Sequence, residues 1–185
     1  MPTKRYPTIG CCGIDCGLCP RFHTEGKSKC PGCAGKDFRD KHPSCSILTC
    51  CVITKRRETC GDCEEFICKR ILNWDSSDSF VTHRNCIYNL KSIREKGLDS
   101  FIEQQEDRMQ LLKTLLEEYD DGRSKSFYCL SAALLPIGEL SSAMERVGKV
   151  VQPENDRKHV GKLMREAFAG IATKSSVELS YRKKT

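Results

Sequence analysis

The chain has 185 residues, a formal charge of +6 and fourteen cysteines. That length allows one domain or two small ones, and no apolar run approaches the length that spans a membrane. The positive charge invites a nucleic-acid partner, but eight thiolates around two dications would bring it to about +2. Most of the basic excess then compensates metal sites, and nucleic acid is a disfavoured partner.

Residues 1–10 are polar, with Pro2 and Pro7, and are expected to be extended or loose. Met1 to Arg5 carry charge with no apolar run behind it, so no secretory leader is read there. The resulting expectation is a cytoplasmic chain whose thiols stay reduced, which disfavours disulfides.

The stretch from Cys11 to Cys68 holds twelve of the fourteen cysteines. They come as Cys12-Gly13-Ile14-Asp15-Cys16-Gly17-Leu18-Cys19, Cys30-Pro31-Gly32-Cys33, Cys45, Cys50-Cys51, Cys60-Gly61-Asp62-Cys63 and Cys68. Two residues between cysteines let both sulfurs wrap one tetrahedral ion, and Gly or Pro in the gap eases the turn. Repeated pairs of this kind are a strong metal signal. The candidate ligands are Cys12, Cys16, Cys19, Cys30, Cys33, Cys45, Cys50, Cys60, Cys63 and Cys68.

Spacing groups Cys16, Cys19, Cys30 and Cys33 as one site and Cys45, Cys50, Cys60 and Cys63 as a second. Cys12 and Cys68 are left able to displace one of those eight. Cys11 and Cys51 each adjoin another cysteine, and neighbours rarely both reach one ion. The stretch is poor in aliphatic residues, so metal bonds are expected to replace a core there. The expected cofactor is zinc, about two ions per chain, with an iron–sulfur cluster as the alternative. His23 and His42 are read as solvated, and Cys86 and Cys129 as buried apolar residues. Lys55, Arg56 and Arg57 read as a solvated turn.

Ile47 to Val52 suits a short helix or strand. A helix is expected to start within Glu64–Leu72, with acids in its first turn. Asn73 to Asp78 reads as a hinge, dividing a Cys-rich metal-binding module (1–72) from a helical domain (78–185). Asp78 or Ser79 is expected to cap a helix running to about Lys96, with Gly97 ending it. The next helix spans about Leu98 to Tyr119, its apolar stripe interrupted at Gln105.

A third helix starts near Ser124 or Ser126, and Pro136 is expected to end or kink it. Helix resumes over Glu139–Val147, and a last one covers about Glu154 to Ala172. Val177 to Tyr181 alternates and is a candidate edge strand. The fold class expected is mainly α: a Cys-rich module of little regular structure, then a helical bundle and a short C-terminal strand. Outside the cysteines, Arg123, Ser124 and Lys125 sit at a helix start and are candidate anion-binding residues. The competing reading is a helix-to-helix turn.

The motifs CGIDCGLC at Cys12–Cys19, CPGC at Cys30–Cys33, CGDC at Cys60–Cys63 and Glu65-Phe66-Ile67-Cys68 resemble a prokaryotic cysteine-rich family catalogued as domain of unknown function 3795. The resemblance continues through Gly97-Leu98-Asp99-Ser100-Phe101 to the DGRSKSFYCLSAALL stretch ending at Leu135. It implies a zinc-binding cytosolic protein and supplies no established reaction. Cys12, Cys16 and Cys19 also have the spacing by which radical S-adenosylmethionine enzymes hold a cluster, but the strand–helix alternation of their barrel is missing. The function expected is a non-enzymatic zinc protein with structural metals that serves a protein partner. A redox or electron-transfer protein is the contrasting class.

Overall fold

The computed structural model describes residues 3–151 and 156–183. The fold is mainly helical, with a Cys-rich N-terminal region of little regular structure. Two compact units form: Met1–Gln105 with Tyr181–Thr185, and Glu106–Ser180. The division therefore falls inside a helix and not in the Asn73–Asp78 stretch.

In the first unit, short turns carry the cysteines. Tight 3-10 turns lie at Cys16–Leu18 and Cys60–Asp62. A one-turn helix α1 spans Phe38–Lys41, and α2, Ser46–Leu48, runs on as a π-helical turn over Thr49–Thr54. Of the two options for Ile47 to Val52, helix is the one that forms. The helix expected within Glu64–Leu72 does not: the segment makes successive turns, with the Ile71 N–H donating to Cys68 O at 3.1 Å.

Helix α3 spans Cys86–Lys96, and Asp78 does not cap it. Asp78 instead ties down the loop ahead of it, accepting the His83 N–H at 2.7 Å and the Thr82 hydroxyl at 3.2 Å. The buried face of α3 is Cys86, Asn89, Leu90 and Ile93, the spacing of one helical stripe. Two glycines dock the cysteine loops on it. A Cβ at Gly13 (φ +84°) would stand 2.2 Å from Cys86 O, and one at Gly61 2.7 Å from Leu90 O. Asn89 donates to Gly13 O at 3.0 Å, and Arg94 to Gly61 O and Cys63 O at 3.2 and 2.9 Å.

Helix α4 spans Leu98–Thr114 and continues as a π-turn over Leu115–Tyr119, close to the expected range. Gln105, which breaks its stripe, is buried and donates to Thr8 O at 2.9 Å and Asp15 Oδ1 at 2.7 Å. These two bonds tie α4 to the cysteine loops at Gln105. The unit also has a core of its own, against expectation. Phe38, Ile47, Leu48, Val52, Ile71 and Leu90 cluster with Cys11, Cys12, Cys33 and Cys51. Residues 4–10 are not loose either: Ile9 is fully buried and packs on Ile93 and Ile102.

In the second unit α5 spans Lys125–Leu134, α6 Ile137–Val150 and α7 Arg157–Lys174. Pro136 separates α5 from α6 as expected, and Arg108 donates to Ala132 O and Leu135 O at the carbonyl end of α5. Asp156 caps α7 through the His159 N–H; the expected start at Glu154 lies outside the described residues. The buried Tyr128 hydroxyl donates to Tyr119 O at 3.1 Å, and its ring meets Phe168 edge-on. Val177 to Tyr181 forms no strand. Beyond Ser180 the chain rejoins the first unit, where Asp78 and Arg182 exchange two hydrogen bonds, at 2.9 and 2.8 Å.

Candidate metal centre

All twelve cysteines between Cys11 and Cys68 line one of two cavities in the first unit. The larger, about 590 Å³, is lined by Cys11, Cys12, Cys16, Cys19, Cys30, Cys33 and Cys45. The smaller, about 210 Å³, is lined by Cys50, Cys51, Cys60, Cys63 and Cys68. This regroups the sites read from spacing. Cys45 stands with the first set, and Cys68 takes a place in the second. Cys12 is a full member of the larger cavity. Cys11 and Cys51, set aside as crowded neighbours, both face a cavity.

Local structure accounts for these positions. At Cys16 and Cys60 the chain makes a 3-10 turn, and the Cys19 and Cys63 N–H groups donate back to Cys16 O and Cys60 O, each at 3.2 Å. Gly32 (φ +82°) lets the Cys30–Cys33 turn approach Pro7, whose carbonyl accepts the Cys33 N–H at 2.8 Å. Cys45 starts α2, and its sulfur accepts the Leu48 N–H at 3.5 Å.

The sulfurs face a space and do not converge on a point. Among the described residues, no three Cys, His, Asp or Glu side chains gather closely enough to hold a metal ion. Cys33 Sγ lies 3.7 Å from Cys11 Sγ. Burial raises the pKa of Cys12 to about 12, and it raises Cys16 and Cys19 as well. Cys33 is raised by its contact with Cys11 and by burial. Buried thiols of this kind stay protonated until a cation offsets the charge of the thiolate.

One residue absent from the sequence reading belongs here. Lys4 is 5% exposed, and its ammonium donates to Ile9 O. Its charge acts against burial at Cys11, Cys16 and Cys33 of the larger cavity and at Cys51 of the smaller. Nothing in the local pattern of an N-terminal lysine signals this, because burial there depends on the turn around residues 31–34. Lys55, Arg57, Lys69 and Arg70 line the smaller cavity. Lys55 also pairs with Glu65, and Arg57 with Glu64. The basic cluster is therefore part of a cavity rim.

The other candidates fall away from the thiols. His23 bonds Gly17 O at 2.7 Å, while His42 stacks on Phe38 and lines the larger cavity. Cys86 is buried under Gly13, and Cys129 is buried in α5 of the second unit. At the Arg123–Lys125 corner, Asp120 Oδ1 accepts the N–H groups of Gly122 and Ser124, and Asp121 Oδ1 accepts that of Arg123. Asp121 also takes the Ser124 hydroxyl at 2.8 Å and pairs with Arg165 at 2.8 Å. The loop's own carboxylates occupy donors that an external anion would need, so the corner is a closed turn.

No family model, curated protein or solved structure matches the chain. Among the described residues, no helix is long and apolar enough to cross a membrane.

Proposed function

We propose that this chain is a cysteine-ligated metalloprotein whose cavities take iron–sulfur clusters, making it an electron-transfer protein. The observation that carries the reading is the lining of two cavities, about 210 and 590 Å³, by twelve cysteines. A single zinc ion needs four sulfurs closing on one point at about 2.3 Å. A cluster needs thiolates spread around its perimeter, and seven cysteines stand among the residues lining the larger cavity and five among those lining the smaller. Bound clusters would supply one-electron chemistry at potentials set by charge, hydrogen bonds and exposure. Lys4 and the basic rim provide the compensating charge.

Zinc is the second reading. The 3-10 turns at Cys16–Cys19 and Cys60–Cys63 are the conformation in which paired cysteines grip one ion, and the resemblance to the cysteine-rich family points the same way. Either chemistry requires reduced thiols and so a reducing, cytoplasmic setting. Electron transfer implies a protein partner, for which Ile53, Ile67, Leu72 and Phe80 are exposed apolar side chains in the same unit. Anaerobic isolation with metal and sulfide analysis tests the reading. A brown chain containing iron and labile sulfide is expected. A colourless chain with about two zinc ions would establish the second reading instead, and a metal-free chain with its thiols paired as disulfides would defeat both.

A further inference from the structure

We propose that the larger cavity of the first unit is also a small-molecule site, and that its ligand is a flat aromatic carboxylate held by Arg70 and the indole N–H of Trp74. The site depends on the part of the lining that is not cysteine, and it stands whether or not a metal occupies the thiols.

At about 590 Å³ the cavity has the volume of a small-molecule pocket rather than of the gap around one ion. Much of the lining besides cysteine is apolar: Phe38, Leu48, Trp74, Phe80 and Val81. Two of these rings are paired with histidines that line the cavity as well. Phe38 stacks on His42 with ring centres 4.6 Å apart, and Trp74 on His83 at 5.1 Å. The His83 ring is engaged at both nitrogens, Nδ1 by Trp74 O and Nε2 by the Ser79 hydroxyl, each at 3.2 Å. Aromatic walls held in place in this way receive a planar ring at little cost in ordering.

The polar groups select the other end of the ligand. Among the described residues that line the cavity, none is Asp or Glu, while Arg70 brings a cation. Lys55 and Arg57 at the smaller cavity pair with Glu65 and Glu64, but among the described residues no carboxylate pairs with Arg70. A second guanidinium, that of Arg21, lies 5.4 Å from the centre of the exposed Phe80 ring. Trp74 Nε1 is buried and makes no hydrogen bond. The Cys12 sulfur beside it is a weak acceptor. A buried N–H left without an acceptor is costly, and a carboxylate oxygen would remove that cost. The same carboxylate would satisfy the Arg70 guanidinium through a charge-assisted hydrogen bond.

The test uses the full chain, isolated anaerobically with whatever metal it carries. It is titrated in a calorimeter with 2-naphthoate and, separately, with the neutral 2-naphthamide. Trp74 is the only tryptophan of the chain, so its fluorescence during a benzoate titration reports on this wall alone. Saturable naphthoate binding at a single site is expected, with the amide about tenfold weaker and Trp74 emission shifted by benzoate. Arg70→Gln should bring naphthoate down to the level of the amide and leave the amide unchanged. Trp74→Phe, which keeps a ring but loses the N–H, should weaken naphthoate as well. No saturable binding, equal affinity for acid and amide, or undiminished naphthoate binding by either variant would overturn the proposal. Binding that appears only after a chelator strips the chain would also overturn it, because the space would then belong to the metal. Metal and sulfide analysis of the same sample judges the cluster reading, so the two fail separately.

Discussion

Gly13 and Asp121 show how much a single residue carries. Gly13 sits in a loop that would be read as metal-wrapping, yet its lack of a Cβ is demanded by Cys86 O of α3. Gly13→Ala is expected to destabilise the first unit by more than about 1 kcal/mol and to lower the metal bound per chain. Gly26 is the control. It too has a positive φ, +72°, but nothing stands within 4 Å of its missing Cβ. Gly26→Ala should therefore cost less in thermal melts and leave the metal content alone. Asp121 is held down to about 2, from an ordinary 3.8, by the Ser124 hydroxyl and then by Arg165. A carboxylate with a depressed folded-state pKa stabilises above its unfolded pKa, and that contribution is lost as pH falls through the folded value. Between pH 3.8 and about 2 the parent should lose more stability than Asp121→Asn. Parallel melting curves for the two across that window would refute the role given to Asp121.

Among the elements, α3 and the loop before it decide how the cysteines are arranged. The helix supplies Leu90 to the core, a carbonyl seat for Gly13 and Gly61, and the Arg94 bonds that fix the Cys60–Cys63 turn. The loop at residues 74–83 forms part of the larger cavity wall, with Trp74 stacked on His83 at 5.1 Å. Asp78 anchors that loop. Its side chain is fully buried between Arg84 and Arg182 while it accepts backbone N–H groups from His83 and Arg182. Removing one partner of a buried charge network is costly because the rest stays uncompensated. Asp78→Ala should cost about 3 kcal/mol in denaturant titration. A cost within the range of an ordinary surface change would show that the loop is held by Trp74 and His83 packing alone.

At the scale of the molecule, two units with different sources of stability share one chain. The first joins an apolar cluster to thiol-lined cavities, whereas the second buries Leu140, Ala143, Val147, Met164 and Phe168 between ordinary helices. Metal removal should therefore loosen Met1–Gln105 and leave helix in Glu106–Ser180. Circular dichroism with and without a strong chelator is the check. Loss of only part of the helical signal is expected, and loss of all of it would show one cooperative unit.

What the sequence by itself determined is local. Pairs of cysteines around Gly declare tight ligand turns, and the stripes over Leu98–Tyr119 and Val160–Ile171 declare helices, since both follow from spacing along one segment. Pro136 and Gly97 place helix ends for equally local reasons, a missing N–H and a positive φ. The tertiary structure alone decided which cysteines share a cavity, because that depends on how segments far apart in the chain fold together. Cys45 is nearer in sequence to Cys50, yet the turn into α2 sends it to the larger cavity. Gln105 looked like a flaw in an apolar stripe until Thr8 and Asp15 proved to be its partners, ninety and more residues away. Lys4, Cys11 and Cys51 gave no signal for the same reason: their surroundings are assembled from segments far apart in the chain, and burial that arises from such contacts leaves no periodicity to read.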